Sequence, residues 1–198
     1  MRARSLAVFF TTAIILGISI HLSALQSSAS QPSPPQAKSA QATPAPATAP
    51  NDDSTKKLGA FVGKWETEGA FTSGQKTHTT LECRWSPQGS YLVCDQLVNM
   101  GGEHRQFTVY SYDSKSGKYS FTTLADPGAK PTTGGITIKG NLWTYDDSSF
   151  TANGKTTMVR VTNEFSDAKT EIFKVMSSED NGANWKTMLQ GVARKVGD

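Results

Sequence analysis

The chain has 198 residues, 36% of them hydrophobic and 19% charged, with a formal net charge of +3. That length suits one domain with extensions, and two of the three charge units are Arg2 and Arg4 at the very start, so no basic stripe remains to engage nucleic acid. Two cysteines and, beyond His21, two separated histidines leave no ligand set with metal-binding spacing, and no metal or other cofactor is implied.

Arg2 and Arg4 precede an apolar run from Leu6 to Leu22, followed by small residues through Ser30. A basic start, an apolar middle and a small-residue exit predict a secretory signal peptide over residues 1–29, with cleavage after Ala29 or nearer Ala24. The apolar run is shorter than the ~20 residues a spanning helix needs, so no membrane association beyond export is expected. Residues 30–53 are almost entirely Ala, Pro, Ser, Gln and Thr and hold six of the nine prolines. So little apolar bulk cannot offset chain entropy, which predicts an extended linker. The folded domain is expected over residues 54–198, in a secreted or periplasmic location, opening on a short helical turn at Asp53-Ser54.

The first clear hairpin carries both cysteines. Residues 79–85 alternate as a half-buried strand, 86–90 supply a Pro-Gly turn, and the return begins at Tyr91. An even-length loop centred on Gln88-Gly89 sets Cys83 opposite Cys94, within reach of a disulfide; a three-residue loop sends the thiols to opposite faces. In an oxidising compartment the bridge is the expected state.

Turn signals then recur at short intervals: Gly101-Gly102, Ser116-Gly117, Pro127-Gly128, Gly140-Asn141 and Asn153-Gly154. Together they delimit about ten strands with no long crossover, which predicts an all-β, up-and-down antiparallel barrel whose closure removes exposed edges. Ser178, Asp180, Gly182 and Trp185 fit the S-x-D-x-G-x-x-W pattern known as an Asp-box. That pattern repeats blade by blade in sialidases; a single copy is expected to shape a hairpin turn here.

Gly63-Lys64-Trp65 resembles the G-x-W start of lipocalin-like, or calycin, barrels. With Tyr112-Asp113, Gly117-Lys118-Tyr119 and the turn Asp180-Asn181-Gly182 ahead of Trp185, residues 58–195 look like an uncharacterised bacterial lipocalin-like family, a domain of unknown function. The resemblance implies that Trp65 closes one barrel end and that Arg194, near the last strand, packs across it. Nitrobindin-type barrels are a more distant likeness and hold haem through a histidine on a late strand. This chain has no histidine after His104, so the likeness carries no haem expectation.

Two strand faces compete for the interior. Even-length hairpins counted outward from the cysteines put Leu81, Cys83, Trp85, Val98, Phe107 and Val109 on one face. The other then carries Arg84, Leu97, Tyr110, Tyr112, Tyr119 and Phe121, with Glu82 and Asp95 among them. On the second face Arg84, Tyr110 and Tyr112 are the candidate ligand-binding residues, suited to an amphipathic acid. The competing expectation is an exposed aromatic ladder, since Glu82 and Asp95 oppose each other and would be costly to bury. No nucleophile, base and acid can be assembled, so no catalytic residue is named. The functional expectation is a barrel that binds a small apolar or amphipathic ligand; a ligand-free structural or protein-interaction barrel is the alternative, and an uncharacterised enzyme the third.

Overall fold

The computed structural model describes residues 52–125 and 130–198. The expected signal peptide and nearly all of the expected linker lie outside the described residues. Helix α1 (Asp53–Lys57) is capped one residue earlier than the sequence suggested: Asp52 Oδ1 accepts from the Thr55 amide at 2.8 Å. A 3-10 turn, Leu58–Phe61, continues it.

Eleven antiparallel strands follow: β1 Gly63–Phe71, β2 Lys76–Trp85, β3 Tyr91–Asn99, β4 Glu103–Asp113, β5 Lys118–Leu124, β6 Thr132–Lys139, β7 Leu142–Tyr145, β8 Ser148–Ala152, β9 Lys155–Asp167, β10 Thr170–Ser178 and β11 Lys186–Gly197. Each of β1 to β6 pairs with the next, β7 pairs with β9, and β9, β10, β11 and β1 complete the ring. The result is the expected all-β, up-and-down barrel, with ten strands in the wall. The eleventh, β8, lies beside the first half of β9, while β7 lies beside its second half. The switch falls at Asp146 and Asp147. Asp146 exchanges backbone and carboxylate bonds with Gly135 at 3.0 and 2.7 Å, and Asp147 takes both Arg160 donors at 2.7 Å.

The cysteine hairpin has the even register: Cys83 lies opposite Cys94 with Cα atoms 4.1 Å apart, the sulfurs are bonded, and both residues are 2% exposed. Replacing both cysteines by alanine should cost about 2–3 kcal/mol, because the bridge limits the unfolded chain and its sulfurs also fill the core. Urea unfolding of the double variant checks this; an unchanged midpoint would mean the bridge contributes nothing.

Alpha1 and its 3-10 extension close one end of the barrel. Leu58 is fully buried, and Phe61 sets its ring edge-on to Trp143 and Phe165, both at 5.0 Å, and stacks on Tyr110 at 5.8 Å. Trp65 is 1% exposed, and its indole N–H donates to the Phe61 carbonyl at 2.8 Å. Gly63 begins β1 at φ 108°, where a side chain would strike the Gly197 carbonyl.

The expected packing of Arg194 across Trp65 does not form. Ala193 faces the interior, so its neighbour Arg194 faces out, exposed and opposite Glu66 and Thr170 in the flanking strands. The cation–π contact found among the described residues is instead Arg160, 4.0 Å above Trp185. Trp185 ends the Asp-box, which forms the expected turn. Asp180 accepts from the Ser178 hydroxyl at 2.6 Å, from the Asn184 side-chain amide at 2.7 Å and from the Asn184 backbone N–H at 2.9 Å, bonds that hold its carboxyl down to about 2.

Across the barrel the wall is pinched where β1 meets β11. A Cβ on Gly191 would lie 2.2 Å from the Glu68 carbonyl and 2.4 Å from the Phe173 ring. Gly191→Ala should therefore destabilise by about 3 kcal/mol, since the neighbouring strand rather than a flexible tip must give way. A thermal shift within error of the parent would show that the wall can relax there.

Candidate functional site: the barrel interior

The register of β3 and β4 decides which side chains face inward. Asn99 pairs with Glu103, so Met100-Gly101-Gly102 is a three-residue loop and shifts the parity expected from even loops. Each face expected from sequence is therefore split. Leu81, Cys83 and Val98 share the interior with Tyr110 and Phe121, whereas Phe107 turns out and is 36% exposed. Glu82, Arg84 and Asp95 all lie on the outer face, where Arg105 clasps Asp95 with two bonds of 3.0 and 2.5 Å.

Inside the wall, beyond the Phe61 plug, lies a cavity of about 190 Å³. Its walls combine aromatic rings (Phe61, Tyr110, Phe121, Tyr145 and Phe173) with short polar side chains from adjacent strands. The polar groups are joined in pairs. Thr108 and Thr123 hydroxyls lie 2.8 Å apart, the Gln106 amide donates to Gln96, and the Tyr110 and Tyr145 hydroxyls meet at 3.3 Å with the Asn163 amide 3.4 Å from Tyr145. Desolvation pushes the Tyr110 phenol up to about 12 and the Tyr145 phenol well above its ordinary value, so both stay protonated donors.

Glu171 differs from these. It stands on β10 between Phe165 of β9 and Ala193 of β11, is 5% exposed, and lines the same cavity. Burial alone pushes its carboxyl up to about 8, with no hydrogen bond or nearby cation to oppose the shift. Alternation explains how it comes to be inside: Glu171, Phe173 and Val175 share one face of β10, and the last two are core residues. At the end away from the plug, Val159, Val175 and Leu189 form a second apolar cluster, with Phe71, Phe150 and Met188 packed against it.

The three candidate ligand residues thus separate. Tyr110 lines the cavity; Arg84 is exposed outside it; Tyr112 lies at the plugged end beside Tyr119, ring centroids 4.7 Å apart, while the Tyr119 hydroxyl donates to the Ser54 carbonyl. The sequence reading missed Tyr145, Asn163 and Glu171. Larger depressions lie on the outside, about 860 Å³ over β1 and β11 and about 480 Å³ around Arg84. The first lies over Ile172, Val192 and Val196 with Glu66, Lys76 and Arg194 among them, the second among exposed charges, and both are open on the outer wall. The interior, which gathers Glu171 and hydroxyl and amide groups within aromatic walls, is the stronger candidate. Among the described residues no three His, Cys, Asp or Glu side chains are grouped to hold a metal ion.

No family model matches the chain, and no curated protein matches it in sequence. Among solved structures, it is similar to the protein EF1p2_mFAP2b bound to DFHBI, at 7% identity over 72% of this chain and 99% of that one, with a TM-score of 0.37. It is similar to a redesigned β-barrel at 12% identity over 69% and 92% of the two chains, TM-score 0.31. A protein of unknown function of the DUF3598 family from Nostoc punctiforme PCC 73102 is similar at 9% identity over 73% and 100%, TM-score 0.22. At these scores the likenesses carry no inference about ligand or activity.

Proposed function

We propose that the chain is an exported, lipocalin-like barrel that binds a small amphipathic molecule in its interior. The observation that carries this reading is the placing of Glu171, only 5% exposed and with its carboxyl open to the cavity, beside the Tyr110–Tyr145–Asn163 cluster around that one space. A wall of rings with a few convergent polar groups is what small-ligand sites use. The buried disulfide supports export, because such bridges persist in oxidising compartments. The volume bounds the ligand. A cavity of ~150 Å³ takes benzene, so about 190 Å³ takes a single ring with a short tail rather than a fatty acid.

The ligand-free structural barrel is the second reading, favoured by that same small volume and by apolar clusters at both ends. Native mass spectrometry of the protein recovered from its exported compartment separates the two. The binding reading expects a reproducible extra mass of roughly one ring and its substituents, released on denaturation, as the cavity size requires. A bare protein that also fails to gain thermal stability from any single-ring compound would leave the structural barrel.

A further inference from the structure

The cavity wall holds a carboxyl, five aromatic rings and hydroxyl and amide groups, but among the described residues lining it there is no Lys, Arg or His. An anionic ligand would meet no cation there and would face Glu171. A neutral ligand would satisfy the hydroxyls and leave Glu171 protonated, forming no charge pair. A cation finds two complementary features together: an acceptor with no internal partner, and ring faces whose quadrupoles attract positive charge.

We infer that the cavity discriminates by charge, taking a compact aromatic amine whose ammonium faces Glu171 and rejecting carboxylates of the same size. This rests on the interior being a binding site at all, and names the class of molecule it takes. The Tyr110 and Tyr145 hydroxyls lie near enough to interact electrostatically with Glu171, so the ammonium can share them. The Phe61 ring and the Tyr110 ring stacked on it form one end of the space, where an aromatic ring would lie. Glu171 is then what a hydrophobic pocket alone cannot be: a determinant that separates amine from acid.

The pH dependence follows. The titratable groups facing Glu171 among the lining residues are the two tyrosines, which remain protonated at neutral pH. With the empty-site carboxyl titrating near 8, an ammonium bound below that value must displace a proton to solvent. Affinity for the amine should therefore fall about fifty-fold from pH 8 to pH 6, while affinity for a neutral analogue stays level.

The test uses the purified full chain and three probes of matched size, phenethylamine, 2-phenylethanol and phenylacetate, titrated calorimetrically at pH 6 and pH 8. At pH 8 the amine should bind at least tenfold tighter than the alcohol, and phenylacetate should not bind. Glu171→Gln should bring the amine to the alcohol's affinity and remove the pH dependence. If that variant does not fold, the pH dependence of the parent protein decides by itself. Equal binding of amine and alcohol, or binding of phenylacetate, overturns the charge selection while leaving the interior a binding site. If none of the three binds to folded protein, the selection and the binding site both fall.

Discussion

Between pH 5 and pH 8 the protein should lose about 3–4 kcal/mol of stability, and Glu171→Gln should remove most of that loss. The direction comes from proton counting. The folded-state carboxyl titrates near 8 and the unfolded one near 4.5, so between those values the folded state holds a proton that the unfolded state has released. Stability then falls as pH rises, by up to about 1.4 kcal/mol per pH unit, and levels off above 8. Three surface carboxylates act the other way. Asp95, Asp113 and Asp180 are held below their ordinary values, so what they contribute is lost only at lower pH. Urea unfolding at each pH unit from 5 to 8 measures the slope. A flat profile, or a slope that survives Glu171→Gln, would show that Glu171 is solvated or paired in solution.

Phe61→Ala should cost about 3–5 kcal/mol, the usual range for emptying a buried phenylalanine site. The upper half of that range is expected because three rings lean on Phe61 at once, Tyr110, Trp143 and Phe165, and the indole of Trp65 is tied to its carbonyl. The ring also separates the cavity from the plugged end, so its loss should let the interior accept a longer molecule. Guanidinium unfolding gives the first effect and a series of amines of increasing length the second. A cost below about 1 kcal/mol would mean that the plug collapses onto the gap. No gain for longer amines would mean the same.

The architecture could be read from turn chemistry, because each Gly-containing turn marks a strand end and no segment between them has helical period. The Cys83–Cys94 register was also readable, since the Pro87–Ser90 turn region contains the loop centre. The inward face was not. Asn99 to Glu103 contains two consecutive glycines that suit a two- or a three-residue loop, and the one-residue difference exchanges every side chain beyond it. Tyr110 was thereby grouped with Arg84, which lies on the other side of the wall. Glu171 carried a faint signal, its parity with Phe173 and Val175, but Ile172 and Met176 give the opposite face an apolar character too. Asn163 and Tyr145 face the same space because β7 skips β8 and pairs with β9, a pairing that no local pattern announces. Strand alternation is local; which strands close the ring is not.

The described chain enters and leaves the barrel on the same side. Gly63 starts β1 beside the end of β11, where Gly197 lies opposite Lys64, and Ser54 rests against Tyr119 at that end. A linker, fusion partner or solid support joined at Asp52 or at Asp198 would therefore sit below the plug, and the opposite rim, around Met100, Phe71 and Met188, would be presented outward. Immobilisation through Asp52 or Asp198 should leave solute access to that rim equally unobstructed, so a sensor chip would report the same kinetics in both orientations.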